Sequence, residues 1–342
     1  MQVVHGDFEN LISLENLLRA WRKFKIGKDK KSEVIRFERY LEDNLFSLYH
    51  DLKSQTYRHG EYHYFTVSDP KKRDIHKAAV RDRIVHQALY DYLVEIYESI
   101  FIDESYSSRL GKGTHRAVLC LKNFAQDIFK ENKGECFALK CDIKKFFASI
   151  DHNILLNILK RKIKDKDVVW LIEIVVKSFK VNRHRGVPLG NITSQIFANV
   201  YLNELDYFVK KELKLKHYLR YNDDFVILSE KQDELWKNIG QIKEFLGNNL
   251  FLEMPEGKII FRKLRWGIDF CGYIVLPNAV LLRQKTKKRM LKKIAATAEK
   301  YAKGEIAFSD YGRVLDSYLG LLKYCDSYNL KNTIKNRFVY AP

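Results

Sequence analysis

Tyr221-Asn222-Asp223-Asp224 separates two short apolar runs: His217-Tyr218-Leu219, with Arg220 after it, and Phe225-Val226-Ile227-Leu228. Two such runs hinged on a polar tetrad predict a β-hairpin with its tip at Asn222-Asp223. Adjacent carboxylates at a tip repel each other, which on a plain hairpin is a cost. A divalent cation between them turns that cost into a binding site, and Mg²⁺ takes carboxylate oxygens while keeping positions open for substrate phosphates. Asp is a common turn residue, so the pair alone decides little. Upstream, however, Cys136-Phe137-Ala138-Leu139-Lys140-Cys141 reads as a strand that ends in Asp142. A third carboxylate at the end of a neighbouring strand would complete a site for two metal ions. Such a pair stabilises both the attacking and the leaving oxygen in phosphoryl transfer.

Composition agrees with that chemistry. The 342 residues allow one large domain or two to three subdomains. A hydrophobic share of 46% with 13% aromatics supports a packed core and excludes a disordered chain. The net charge of +18 points to a polyanionic partner. Residues 279–342 hold 14 Lys+Arg against 5 Asp+Glu, so half the excess sits in less than a fifth of the chain. At that density nucleic-acid contact is favoured over a merely solvated helical face. The five cysteines show no CxxC or Cys/His zinc spacing and read as reduced core thiols of a cytoplasmic protein. No basic stretch followed by an apolar segment opens the chain, and no apolar run reaches membrane-spanning length, so no membrane partner is expected.

Asp142-Ile143-Lys144-Lys145-Phe146-Phe147-Ala148-Ser149-Ile150-Asp151-His152 and Arg220-Tyr221-Asn222-Asp223-Asp224 together resemble the first and third palm motifs of reverse transcriptases. The resemblance extends over nearly the whole chain. It implies an α+β fold of the right-hand polymerase type, with N-terminal helices and fingers at 1–135, a palm at 136–278 (with part of the fingers at about 160–190) and a helical thumb at 279–342. It also implies RNA-directed DNA synthesis, with two Mg²⁺ ions (Mn²⁺ as a substitute) held by Asp142, Ile143, Asp223 and Asp224. The catalytic set is then Asp142, Asp223, Asp224 and Lys258. The family places a lysine near Lys258 as proton donor to the leaving pyrophosphate, a sensible use of a general acid.

Taken in order, helical spacing recurs over residues 8–60, broken at Gly27-Lys28-Asp29-Lys30-Lys31. Tyr62-His63-Tyr64-Phe65-Thr66-Val67 reads as a strand turned by Asp69-Pro70. By resemblance, Lys71, Lys72 and above all Arg73 grip the triphosphate of the incoming nucleotide, a task suited to the planar guanidinium fork. The next helix is read from Arg81-Asp82-Arg83, where a charge pair is expected to brace the fingers and Asp82 is structural. Ser105 to His115 forms a Gly-rich basic loop entering a helix, and its Arg109 and Lys112 are candidates for template backbone. It is not a Walker loop, since the GxxxxGK[ST] spacing fails.

Phe147, five residues past Asp142, is the family's steric block against a 2′-hydroxyl, whereas Phe146 reads as core and Asp151 as a helix cap or brace. Gly186-Val187-Pro188-Leu189-Gly190-Asn191-Ile192-Thr193-Ser194-Gln195 is a constrained loop in which Ser194 or Thr193 is expected to cap the following helix. Most reverse transcriptases carry QGxxxSP here; this chain has Leu189 for the Gln and Gln195 for the Pro. That departure, with Ala198-Asn199-Val200-Tyr201-Leu202-Asn203, resembles the enzymes of diversity-generating retroelements and puts ordinary fidelity in doubt. Phe270-Cys271-Gly272-Tyr273-Ile274-Val275 resembles the primer-grip strand, with Gly272 allowing close approach of the primer end. Lys285, Lys287, Lys288 and Arg289 open a thumb helix expected to follow the phosphates of an RNA–DNA hybrid.

The expected partners are therefore an RNA template (a noncoding RNA of the element), a DNA primer or cDNA product, and dNTPs, with a small accessory protein or a homo-oligomer left open. The end at 342 leads to the expectation of no endonuclease or RNase H segment. Low-fidelity copying of an element-encoded template is the leading reading. A phage-defence reverse transcriptase using its own noncoding RNA is a near alternative, and a catalytically silent RNA-binding protein on the same fold belongs to another class. Three intact carboxylates argue against the last.

Overall fold

The computed structural model describes residues 7–68, 71–131 and 135–338, so the turn expected at Asp69-Pro70 lies outside the described residues. Two compact units are formed, each from separate stretches of chain.

One unit comprises Met1–Ile102, Ile143–Glu212 and Gln241–Pro255. Its N-terminal helices, Asp7–Ile12, Leu14–Lys25, Ser32–Glu38 and Leu41–Lys53, follow the apolar spacing of the sequence. Leu17, Trp21 and Phe24 form one buried stripe and Leu45, Leu48 and Leu52 another. The basic break falls where expected, with Gly27 at φ 71°. Helix Ile192–Tyr207 buries Ile196 to Leu202 on every side and packs against helix Val80–Tyr97. Charge pairs form near the start of that second helix. Arg83 pairs with Glu33 at 2.9 Å and Arg81 with Asp51, while buried Asp82 accepts from the Tyr57 hydroxyl (2.7 Å) and the Gly60 N–H (3.1 Å). Asp82 is structural as read, but neutral donors hold it. An exposed antiparallel hairpin, β1 (His63–Val67) and β2 (Arg73–Lys77), projects Lys71, Lys72 and Arg73 into solvent.

Two local readings meet different fates here. Asp151 caps helix His152–Lys162, accepting from the N–H groups of Asn153 (3.0 Å) and Ile154 (3.2 Å), and also pairs with Arg185 Nε at 3.6 Å. It is both cap and brace. The cap expected of Ser194 or Thr193 is corrected: Asn191 holds the N-cap position, while Thr193 and Ser194 lie inside the first turn. Tertiary partners win them instead, Ser194 donating to the Pro188 carbonyl at 2.6 Å and Thr193 meeting His86. Asn191 is occupied too, accepting from the Ala78 N–H and donating to the His76 carbonyl.

The other unit comprises Asp103–Asp142, Leu213–Gly240 and Glu256–Pro342. Its main sheet has the order β4 (Tyr218–Tyr221), β5 (Asp224–Ser229), β3 (Phe137–Asp142), β6 (Ile259–Lys263), antiparallel throughout. Helix Thr114–Glu131 lays Ala117, Val118, Leu121, Ala125 and Ile128 against Ala138, Leu219, Val226 and Leu228 of that sheet. A smaller sheet follows: β7 (Ile268–Phe270), β8 (Tyr273–Val275) and β9 (Val280–Leu282). The single strand expected over Phe270–Val275 is thus corrected to a hairpin. Cys271 (φ 49°) and Gly272 (φ 88°) make its two-residue turn, a conformation that favours glycine. Three helices, Gln284–Ala302, Phe308–Leu321 and Tyr328–Phe338, close around Met290, Ile294, Leu315, Leu322 and Ile334.

Candidate active site

The tip between β4 and β5 is the two-residue turn Asn222-Asp223, with Tyr221 paired to Asp224 across it. Asn222 takes φ 59°, a left-handed geometry that Asn tolerates better than most residues. Register then does the rest. β5 runs antiparallel to β3 so that Asp142 stands directly opposite Asp224. Three carboxylates, Asp142, Asp223 and Asp224, are thereby gathered at one end of two central strands.

Like charges placed opposite each other destabilise a sheet unless something compensates them. Two lysines do. Lys258 Nζ lies 2.5 Å from Asp142 Oδ2, and Lys140 Nζ lies 3.8 Å from Asp224 Oδ1. The hydrogen bond to Asp142 raises the Lys258 ammonium above its usual range. Asp223 is compensated only in part: burial first, then the charges of Asp224 and Asp142, push its carboxyl up to about 6 against the opposing pull of a backbone hydrogen bond and of Lys258. A carboxyl lifted in this way marks a surplus of negative charge, which is what a cation site needs. As the chain stands, no three His, Cys, Asp or Glu side chains among the described residues form a ready metal-ligand cluster. The donor set is nonetheless all carboxylate oxygen, the chemistry preferred by Mg²⁺ and Mn²⁺, so the residues present fit a hard divalent cation.

Two residues here escaped the sequence reading. Lys140 looked like one position of a strand. Arg220 is wholly buried, and its guanidinium donates to the Asn222 carbonyl (3.1 Å) and the Ser105 hydroxyl (3.0 Å), tying the turn to the Ser105 loop. The signal was available: an arginine at a core-facing strand position is rare unless it is fully hydrogen-bonded.

The remaining candidates are distributed as follows. Arg109 turns back onto the Ser105 carbonyl (2.8 Å), and Lys112 onto the Asp103 carbonyl (2.9 Å) and carboxylate, so both brace their own loop. Gly272 gives its carbonyl to the Arg283 N–H at 3.1 Å. Lys285, Lys288 and Arg289 are exposed and Lys287 half-buried, on a helix whose other face holds Met290, Ile294 and Thr297. Phe147, Leu189, Gln195, Arg73, Lys71, Lys72 and Ile143 belong to the other unit. There, Phe146 is buried, as expected, and Phe147 half-buried. Leu189 is half-buried with its carbonyl accepting from the His76 N–H at 2.9 Å, and Gln195 is exposed. Gly190 (φ +112°) lies so close to Ile75 that a Cβ would come within 2.6 Å of it.

The sequence profile of the reverse transcriptase (RNA-dependent DNA polymerase) family matches residues 68–275, more than half of the chain. The chain belongs to the reverse transcriptase family. Among curated relatives of this family member, the group II intron-encoded protein LtrA of Lactococcus lactis is 26% identical over 293 residues, covering 65% of this chain and 48% of LtrA. Protein YkfC of Escherichia coli K12 is 28% identical over 152 residues, 43% of this chain and 39% of YkfC. The chain thus spans half or less of the length of these relatives. Apo telomerase from Candida tropicalis superposes with a TM-score of 0.52 at 12% identity, covering 68% of this chain and 50% of that one. The likeness concerns the fold, which is the α+β right-hand polymerase fold. No helix among the described residues is long and apolar enough to cross a membrane.

Proposed function

We propose that the chain is an RNA-directed DNA polymerase whose catalytic carboxylates are Asp142, Asp223 and Asp224. The observation that carries this reading is the Asp142–Asp224 register with Asp223 at the adjoining tip. These three, with the Ile143 carbonyl, would hold two Mg²⁺ ions, and Mn²⁺ could replace them. When bound, the ions supply charge stabilisation to the attacking and leaving oxygens. The protein's own part is to position. Arg220 fixes the carbonyl of Asn222, which keeps Asp223 at the tip of a rigid turn. Lys258, in reach of Asp142, is placed to give a proton to the departing pyrophosphate. Arg73 has no side-chain hydrogen bond or ion pair among the described residues and is free to take the triphosphate, with Lys71 and Lys72 beside it.

In this reading residues 1–135 supply N-terminal helices and fingers, 136–278 the palm and 279–342 the thumb. RNA template, DNA primer or cDNA, and dNTPs are the partners. Lys285, Lys287, Lys288 and Arg289 have no ion-pair partner among the described residues and form the phosphate-tracking face, with Arg109, Lys112 and Gly272 nearer the primer–template. Replacing Lys287 and Lys288 together by Glu should weaken binding to all sequences and flatten the slope of log K against log salt by about 2. An unchanged slope would make the cluster a solvated surface.

The template is the finer question. Low-fidelity copying of an element-encoded RNA rests on Leu189 and Gln195. The Leu189 side chain has no polar atom to offer the nascent pair, where most of the family places an amide. One hydrogen bond is worth about 1 kcal/mol and a tenfold change in selectivity about 1.4 kcal/mol, so its absence is large enough to matter. Leu189→Gln should lower misincorporation roughly tenfold, and Gln195→Pro should lower it by less. Sequencing cDNA copied from a defined RNA measures both. Wild-type error rates equal to a conventional enzyme's at every base would remove this reading. The similarity to the group II intron-encoded protein LtrA over 65% of the chain supports a second one, in which the template is an intron RNA.

A further inference from the structure

His86 is 1% exposed, Thr193 also 1%, and neither is explained by the chemistry above. His86 Nδ1 is 2.5 Å from Thr193 Oγ1, His86 Nε2 is 2.9 Å from His59 Nε2, and His59 Nδ1 is 2.6 Å from the Gly60 carbonyl. A carbonyl only accepts, so His59 carries its proton on Nδ1 and, when neutral, accepts on Nε2. His86 therefore donates from Nε2 and accepts on Nδ1, and the Thr193 hydroxyl donates to it. Every imidazole nitrogen of this chain, buried at His86 and half-buried at His59, then has one defined role. Burial pushes the His86 imidazolium down to about 3, which keeps the ring neutral as this pattern requires.

The chain joins two segments that select nucleotides in the proposed function. At one end, residues 57–60 lead directly into β1. The i,i+4 neighbours Asp82 and His86, on one face of helix Val80–Tyr97, hold them: Asp82 through Tyr57 and Gly60, His86 through His59. At the other end, Thr193 lies in the first turn of helix Ile192–Tyr207, between Leu189 and Gln195. A second route runs in parallel: the Leu189 carbonyl accepts from the His76 N–H, and the Asn191 side-chain amide donates to the His76 carbonyl and accepts from the Ala78 N–H. None of the four residues of the histidine chain is a nucleotide-contacting candidate.

We propose that the hydrogen-bonded chain Thr193–His86–His59–Gly60 is a positioning device that locks the segment bearing Leu189 and Gln195, a loop and the first turn of the helix after it, to the base of the hairpin bearing Arg73, so that His86 and Thr193 set nucleotide discrimination without touching substrate. The inference deepens the polymerase reading and rests on it for its consequence, but the coupling itself is a property of the free protein.

Thr193→Val keeps the shape and removes the donor. Thr193→Ser keeps the donor. His59→Phe keeps the stack on Tyr62, whose ring lies 4.7 Å away, and removes the acceptor from a half-buried position that tolerates change. Hydrogen–deuterium exchange of the free protein should rise in peptides covering 57–77 and 189–195 for Thr193→Val and His59→Phe, and return to wild type for Thr193→Ser. In single-nucleotide insertion on an RNA template, the dNTP KM should rise roughly three- to tenfold for Thr193→Val, the worth of one hydrogen bond. The correct-to-incorrect kcat/KM ratio should change with it, while primer–template affinity stays constant. His59→Phe should give the same change in smaller degree, and Thr193→Ser none. Unaltered exchange in His59→Phe, or altered exchange with an unaltered KM and ratio, overturns the proposal. If the wild-type protein makes no DNA on RNA, the polymerase reading falls instead, and the exchange measurement still decides the coupling.

Discussion

Asp223→Asn should abolish primer extension, by three orders of magnitude or more, and at the same time make the protein more resistant to heat. The loss follows from removing one of three carboxylates proposed to hold the metal pair. The gain follows from the charge balance of the free site. Burial and two neighbouring carboxylates raise the Asp223 carboxyl to about 6, so the fold favours the protonated form. A carboxyl raised in the native state favours folding most at pH values below its unfolded pKa, and that contribution is lost as pH climbs through about 6. At pH 7.5 the wild type therefore carries a penalty on the order of 1–3 kcal/mol, after allowance for solvent, that asparagine does not. The variant should melt roughly 2–5 °C higher at pH 7.5, and the difference should shrink towards pH 4.5. Mg²⁺ should raise the Tm of the wild type and leave the variant nearly unmoved, a readout independent of catalysis. A variant that still extends primers, or that melts lower at pH 7.5, would remove Asp223 from the proposed role.

Phe147→Val should admit ribonucleotides. The Phe147 backbone is pinned, its carbonyl accepting from the Val187 N–H at 2.8 Å, and its ring meets Phe146 edge-on with centroids 5.4 Å apart. Phe146 is buried beside Tyr201 and holds the short helix Phe146–Ser149 in place. Shortening Phe147 therefore removes bulk without moving its neighbours. A steric gate of this kind commonly discriminates by roughly ten- to two-hundredfold, and most of that should be lost. The measurement is the ratio of kcat/KM for each rNTP and its dNTP. A ratio that stays at the wild-type value would assign the gate to another side chain.

How much of this was legible in the sequence depends on how local each feature is. The β4–β5 hairpin was readable because a two-residue polar turn between apolar runs is a local signal. The N-terminal helices and the Asp151 cap were readable for the same reason. Asp142 was found by its place at a strand end and by resemblance. What escaped was set by contacts distant in sequence. Nothing local places Lys258 against Asp142, because that contact depends on β6 lying beside β3. Thr193 and Ser194 have the chemistry of caps, yet Asn191 stands there and tertiary partners claim both hydroxyls. The turn at Cys271-Gly272 was hidden inside an unbroken apolar run, where only a backbone with two positive φ angles reveals the reversal. Arg220 belongs to the motif at the tip, yet its task of holding that tip depends on Ser105, 115 residues away in the chain.

The order of strands in the main sheet has a consequence for how the protein comes into being. β3 is central, yet both of its partners are made later, β5 at 224–229 and β6 at 259–263. A nascent chain emerging from the ribosome therefore carries Phe137-Ala138-Leu139-Lys140-Cys141 with both edges open until β5 is complete at residue 229, and with one edge open until β6 is complete at residue 263. Such a segment, largely buried in the finished sheet, invites pairing with another chain. Interrupted synthesis that stops before residue 263 should yield insoluble product, and chaperone dependence should concentrate in that window of elongation.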